Sequence, residues 1–456
     1  MRVSPEQTAR PAPIIAVALA IAGFALTLFI FYPGIMNYDA RYVYLDGLKG
    51  FYGDWQSPVM TWLWKTIDPV APGSASMFLL IAALYWFGIG TLSFVLARRS
   101  LAAVVMLMLF ALAPPLFAFV GIIWRDVLMA TCWLLAAALV FATAHHDRSV
   151  AIRVIALLLV GFGVLIRPNA LAAAPLLIAY IFWPRDFRFR RTALLFLPVM
   201  IALYGIIQLA YYGALGATRQ HPLHSIAVFD LGGITYFSGE NQFPGTWSAG
   251  EIEALRGRCY DASYWNIYWN GDCKFVMAKL EGEPRIFGTP ELSRGWLEAI
   301  RRHPIAYAQH RLAFFRTFLL DSHLAMWTAD IEHPPKTIFE DRPAFMTVKA
   351  MHDALQPSSL FRMGAWLLAS LVLCALAWRR RSTADGAFVI GVCGSAVLYV
   401  LSYLPLGVAS EFRYIYWAVL ATCAGAVVIS WPSVPNPTFA KLGSAPQSEL
   451  RIRSGH

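Results

Sequence analysis

The chain has 456 residues, of which 58% are hydrophobic and only 14% charged, and its mean hydropathy is +0.55. That profile excludes an ordinary soluble globular protein and points to an integral membrane protein. The formal charge of +10 resides mostly in loop arginines, with no basic soluble face or recognised motif, so nucleic acid is not an expected partner.

In chain order, stretches able to cross a hydrocarbon core of about 30 Å fall at 13–32, 75–97, 101–119, 126–144, 150–166, 169–183, 192–212, 361–378, 386–404 and 412–431. An α-helical polytopic membrane protein with about ten transmembrane helices is therefore expected. The first stretch is long and is followed by FYPGIM instead of a small-residue cleavage site, so it reads as a retained helix and not a signal peptide. Arginines cluster on alternate connections: Arg2 and Arg10, Arg98 and Arg99, Arg148 and Arg153, the WPRDFRFRR stretch, and Arg379 to Arg381. Because Lys and Arg in short loops stay cytoplasmic, this pattern predicts both termini inside.

The expected organisation is a transmembrane module over 1–212 with a first outer loop at 33–74, then an extracytoplasmic domain over 213–360. Transmembrane helices over 361–431 and a disordered cytoplasmic tail over 432–456 complete it. The outer domain is expected to be of mixed structure, with turn signals at Gly232 (GG), Phe243 (FPG) and Asn270 (NGD). Cys259 and Cys273 flank YDASYWNIYWNGD there and are expected to pair in an oxidising compartment. Cys132, Cys374, Cys393 and Cys423 lie in apolar stretches and read as small buried hydrophobes. Between 295 and 327 a broad apolar stripe is mixed with Arg301, Arg302, Arg311 and Arg316 and broken near Pro304. It reads either as an interfacial amphipathic helix or as a helix packed on the outer domain, and Arg311 or Arg316 is a candidate phosphate contact.

The candidate functional residues gather at the ends of the spans that face outward: Asp39 and Asp54, Arg125 and Asp126, Arg167, then Glu411 and Arg413. Each also has a plain structural reading. Asp126 stands just before an apolar helix, where a carboxylate can cap backbone N–H groups. Arg167, in LIRPNAL, can snorkel. Glu411 and Arg413, in SEFRY, can pair with each other, or Arg413 can grip phosphate oxygens. In MNYDARYVYLDGLKG a helix along the membrane surface would place Asp39 and Asp46 on one face, with Tyr38, Tyr42 and Leu45 beside them. A carboxylate held near apolar groups can act as a general base on a hydroxyl.

With NYDARY after the first span, DWQSPVMTWLW in the same loop, WRD before a later span, and RPNA with the late EFRY, the chain resembles the GT-C glycosyltransferases. The likeness is to bacterial members of the mannosyltransferase and lipid A aminoarabinose transferase kind. It covers the membrane half; residues after 213 match only loosely, in DLGG and HPIAYAQHR. The resemblance implies a GT-C-like fold in the bacterial inner membrane, with interfacial helices in the first outer loop. The activity it implies is transfer of a sugar from a polyprenyl-phosphate donor to an envelope glycan, lipid or protein acceptor, among membrane lipids. Asp39 maps to the base, with Asp54 as a second catalytic candidate, while Arg167 and Arg413 map to the basic residues that hold the carrier phosphate. Two departures stand out: Gln56 and Ser57 replace a common His and Pro, and Asp39 is followed by Ala40 where many members have a second acid. No metal ligands are assigned and no cofactor is certain, with a divalent metal left open. An O-antigen polymerase or ligase using a pyrophosphate-linked donor, and a lipid or solute transporter with an outer accessory domain, are the alternative readings.

Overall fold

A computed structural model describes residues 12–144, 150–321, 339 and 341–432. The chain opens with α1 (Ala12–Phe31), then two short helices, α2 (Tyr38–Lys49) and α3 (Pro58–Ile67), and the long α4 (Ser74–Ala97). Next come α5 (Leu101–Ala111), α6 (Pro114–Val120), α7 (Arg125–Ala142), α8 (Val150–Ile166), α9 (Ala174–Phe182) and α10 (Phe189–Gln208). A helical insert follows: α11 (His224–Ser238), α12 (Ala249–Arg256), α13 (Phe275–Glu281), α14 (Pro290–Arg302) and α15 (Pro304–Leu320). The chain returns through α16 (Pro343–Leu355), α17 (Met363–Trp378), α18 (Ala384–Leu406) and α19 (Tyr416–Ser430).

This is a helical, membrane-embedded protein. Among the described residues six helices are long and apolar enough to cross a membrane, or seven if the α5–α6 pair, bent by 60°, counts as one. The remaining predicted spans are apolar but short: α8 has 17 residues, α17 has 16 and α9 has 9. Hydropathy sums read straight through the breaks. Pro114 and Pro115 restart the helix after α5, and Pro168 and Pro175 chop 168–182 into a 3-10 turn followed by a short helix. Packing ranks the helices clearly. α7 packs on α4, α8 and α19 and is almost wholly buried, whereas α10 buries only Thr192, Leu203 and Ile207 and exposes apolar residues for the rest of its length. An apolar helix that buries so little of its surface is one whose solvent is lipid.

The insert corrects the expectation of mixed structure: its described residues form helices and turns, with isolated bridges such as Tyr264 to Ala409 and no strand. The pair Gly232–Gly233 is not a turn but mid-helix in α11, where Cβ atoms would overlap the Tyr268 hydroxyl and the His310 ring. Gly245 and Gly271 do turn, at φ +91° and +58°. Cys259 and Cys273 form a disulfide. The chain breaks at His303, ahead of Pro304, into α14 and α15. α15 then buries Ala306, His310, Phe314 and Phe318 against α11, α17 and α18 and leaves Ile305, Leu312 and Leu320 exposed. The predicted tail from 433 onward lies outside the described residues.

Hydrogen bonds define two ends of the bundle. At one, Arg99 joins Asp385 and the Trp431 carbonyl, so the C-termini of α4 and α19 meet the N-terminus of α18. At the other, α2, the start of α7, the end of α8 and the α18–α19 connection converge.

Candidate active site

Asp39 owes its place to α2. Asn37 caps that helix by accepting from the Ala40 N–H, and Gly50, at φ +69°, closes the far end with its N–H on the Asp46 and Gly47 carbonyls. Asp39 is thereby held in the first turn with one edge open, its side chain 40% accessible. Its Oδ2 accepts from Arg413 Nη1 at 2.8 Å and its Oδ1 from Gln56 Nε2 at 3.3 Å. Gln56 thus sits on the carboxylate from the position where the resembled family often has His. Burial by itself would push the Asp39 carboxyl up, but the charge of Arg413, with Arg125 and Arg167 behind it, holds it below the ordinary aspartate value.

Arg413 is the hub. It projects from the 3-10 turn Phe412–Ile415, pairs through Nε with Glu411 Oε2, and reaches Asp39 with Nη1. Its guanidinium lies 5.1 Å from the Trp124 ring centroid and 5.2 Å from that of Tyr414. Glu411 Oε1 accepts from Tyr264 Oη at 2.6 Å, which ties the hub to the insert. Beside it lies a second, closed pair: Arg167 Nε is 3.0 Å from Asp126 Oδ1, and both side chains are buried. Tyr399 donates to Asp126 at 3.5 Å, and Arg167 Nη2 donates to the Tyr403 hydroxyl at 3.3 Å. Burial opposes the Arg167 charge, yet Asp126 more than offsets it, so this guanidinium stays charged. Asp126 is not the N-cap of α7; that position is Trp124.

Arg125 differs from the other two arginines. It is half-buried and lies in the fields of Asp39, Asp126, Arg167 and Arg413, yet among the described residues it has no ion pair or side-chain hydrogen bond. Three carboxylates and three guanidiniums therefore share this end of the bundle, and one guanidinium is unengaged.

Two of the sequence candidates sit elsewhere. Asp54 accepts from the Tyr212 hydroxyl at Oδ2 and from the Gln220 N–H at Oδ1, both at 2.6 Å, and fastens the DWQSP turn to the chain after α10. Both of its oxygens are engaged in that brace. Arg311 is buried inside the insert, with Nε 2.7 Å from Asp230 Oδ1 and Nη1 donating to the Gly407 carbonyl at 2.7 Å. Asp230 also accepts from Trp296 Nε1 at 2.8 Å and faces His310 Nε2 at 3.3 Å. Burial, reinforced by the charge of Arg311, pushes the His310 imidazole below its ordinary value against the pull of Asp230.

Gly407 begins a strap, 407–411, that the insert grips at successive residues. Trp265 N–H donates to the Val408 carbonyl at 3.0 Å, Ser410 N–H to the Ser263 carbonyl at 2.9 Å, and Ser410 Oγ to the Asp321 carbonyl at 3.1 Å. The strap carries Glu411 and leads into Arg413. Tyr264, Trp124, Tyr403 and Tyr414 were not singled out from sequence; Tyr264 lies 147 residues from the glutamate it contacts, and no local pattern marks it. Among the described residues no trio of His, Cys, Asp or Glu is arranged to hold a metal ion, and Asp39, Asp126 and Glu411 are each engaged by a guanidinium. Compared with protein-family models, curated proteins and solved structures, the chain matches none.

Chemically, a half-open carboxylate of lowered proton affinity is ionised at neutral pH but bound to its arginine. It becomes an effective proton acceptor when an incoming anion draws Arg413 away, and the unengaged Arg125 favours such an anion.

Proposed function

We propose that this protein is a membrane glycosyltransferase that moves a sugar from a polyprenyl-phosphate donor to a cell-envelope glycan, lipid or protein acceptor at the outer face of the bacterial inner membrane. The observation that carries the reading is the half-open Asp39 held by Arg413, next to the unengaged Arg125. The outward assignment rests on the arginine-rich connections at the opposite end of the bundle, and the Cys259–Cys273 disulfide is in keeping with an oxidising compartment.

In the proposed step the donor phosphate takes Arg125 and Arg413, and Asp39 is released to accept the proton of the acceptor hydroxyl. That oxygen bonds to the anomeric carbon as the bond from carbon to phosphate oxygen breaks. The electron pair leaves with the phosphate, whose charge the two guanidiniums stabilise, and the configuration at the sugar inverts. Arg167, already neutralised by Asp126, supports the field without binding the phosphate directly.

The test is sugar transfer from a polyprenyl-phosphate sugar by membranes that contain the protein. Asp39→Asn is expected to lower the rate by about 10²–10⁴-fold, the usual worth of a general base. Near-normal transfer by Asp39→Asn would remove Asp39 as the base. An unchanged glycolipid and lipopolysaccharide profile in a strain lacking the protein would remove the enzymatic class.

A further inference from the structure

At the end of the bundle opposite Asp39, the turn before α10 and the turn after α17 border an open cup of about 560 Å³ whose walls include Arg188, Arg190, Arg191, Arg381, Phe189 and Trp378. The cavity is built, not merely bordered by loop charges. The Phe187 N–H donates to the Arg381 carbonyl at 2.8 Å, and Ser382 Oγ donates to Asp186 Oδ1 at 3.0 Å, so two segments nearly two hundred residues apart are clipped together. The Phe189 ring meets the edge of Trp378 at 5.4 Å, and the Arg381 guanidinium stands 5.3 Å from the Trp378 ring centroid.

The charge in this cup is unbalanced. Four guanidiniums face one carboxylate, Asp186, which is shared between Ser382 and Arg188, the latter at 3.6 Å. Arg190 and Arg191 have no ion pair or side-chain hydrogen bond among the described residues. Directly beyond the cup the two helices it caps expose apolar stripes: Leu194, Leu197 and Ile201 on α10, and Leu368, Val372 and Leu376 on α17. A ligand that fits has a phosphate for the planar guanidiniums, a boundary group for the Trp378 indole and hydrocarbon for the stripes.

We propose that this cup binds one anionic phospholipid, with the headgroup phosphate among Arg188, Arg190, Arg191 and Arg381 and the acyl chains along α10 and α17. The site is separate from the Asp39 cluster and stands whether or not the chain transfers sugar. Arginine-rich juxtamembrane cups of this polarity match the anionic leaflet of a membrane.

The experiment uses the purified full-length protein with equal amounts of phosphatidylglycerol and phosphatidylcholine of matched chains, and native mass spectrometry to count retained lipids. The wild type is expected to keep one phosphatidylglycerol in preference to phosphatidylcholine. Arg188→Gln with Arg381→Gln is expected to lower that preference about ten- to thirty-fold, the effect of two arginines at a membrane surface. Arg379→Gln with Arg380→Gln removes the same charge outside the cavity and is expected to leave the preference intact. Arg190→Gln with Arg191→Gln leaves the clip alone and is expected to repeat the loss. Equal loss in the 379/380 control, no preference in the wild type, or displacement of the lipid by inorganic phosphate alone would overturn the proposal.

Discussion

Replacing Arg311 by leucine removes the guanidinium paired with a carboxylate that has no solvent access. Asp230 and Arg311 are 0% and 4% accessible, and the change also leaves the Gly407 carbonyl without its donor. Breaking a buried pair from one side costs about 3–5 kcal/mol, and the orphaned carbonyl falls within that range. The pH dependence should weaken as well. In the wild type, burial and Arg311 hold His310 below its ordinary value, so on acidification through about pH 6.5 the unfolded chain takes a proton that the folded one refuses, and stability falls. Without Arg311 one lowering influence is gone while burial, the largest, remains, so the proton affinity of His310 rises toward its ordinary value. The variant's stability then falls less steeply than the wild type's as pH drops through about 6.5. Thermal midpoints in detergent across mildly acidic to alkaline pH read both effects. Arg311→Leu should melt well below the wild type at alkaline pH and approach it in acid, and Asp230→Leu combined with Arg311→Leu should recover most of the loss. A variant that melts with the wild type, keeps the wild-type acid slope, or is not rescued by the second substitution would refute the reasoning.

Arg125→Gln should raise the KM for a polyprenyl-phosphate sugar in steady-state transfer while leaving the thermal midpoint unchanged, since among the described residues Arg125 has no ion pair or side-chain hydrogen bond. Asp39, which burial would raise but Arg413 holds below the ordinary aspartate value, should place any acid limb it gives to the transfer rate beneath the range of a free aspartate. Arg413→Gln removes the main lowering influence, and the limb should move upward in a pH–rate profile, whereas Arg413→Lys should hold it low. Gly232→Ala should destabilise the insert by about 1–3 kcal/mol because its methyl overlaps the Tyr268 hydroxyl. Gly250→Ala, in α12 with open space around it, should stabilise by about 0.5–1 kcal/mol, and thermal midpoints check the pair.

The long apolar helices were legible because hydropathy is a property of the segment itself. α1, α4, α7, α18 and α19 start or end within a few residues of their predicted spans. The bend at Pro114 and the shortness of α9 were not, because a hydropathy window counts residues without asking whether one helix contains them. The gathering of Asp39, Arg125, Asp126, Arg167, Glu411 and Arg413 could be anticipated from alternating loops, which put span ends on a common side. The Glu411–Arg413 pair, two residues apart, is one open reading of SEFRY, but the long-range partners could not be read. Asp39 and Arg413 are 374 residues apart, and their contact depends on how α2 lies across the end of the bundle. Arg311 shows the same limit from the other side. In sequence it is one arginine among four on an amphipathic stripe, and only packing against Asp230 turns it inward.

The strap from 407 to 411 connects two membrane helices covalently, but several of its long-range hydrogen bonds go to the insert. For protein engineering, the chain's transplantable unit is therefore discontinuous. A chimera that exchanged residues 213–321 alone would sever the Tyr264–Glu411 link and leave Arg413 without its aim, whereas a graft that brought 407–411 along would move the alignment of the charged cluster intact.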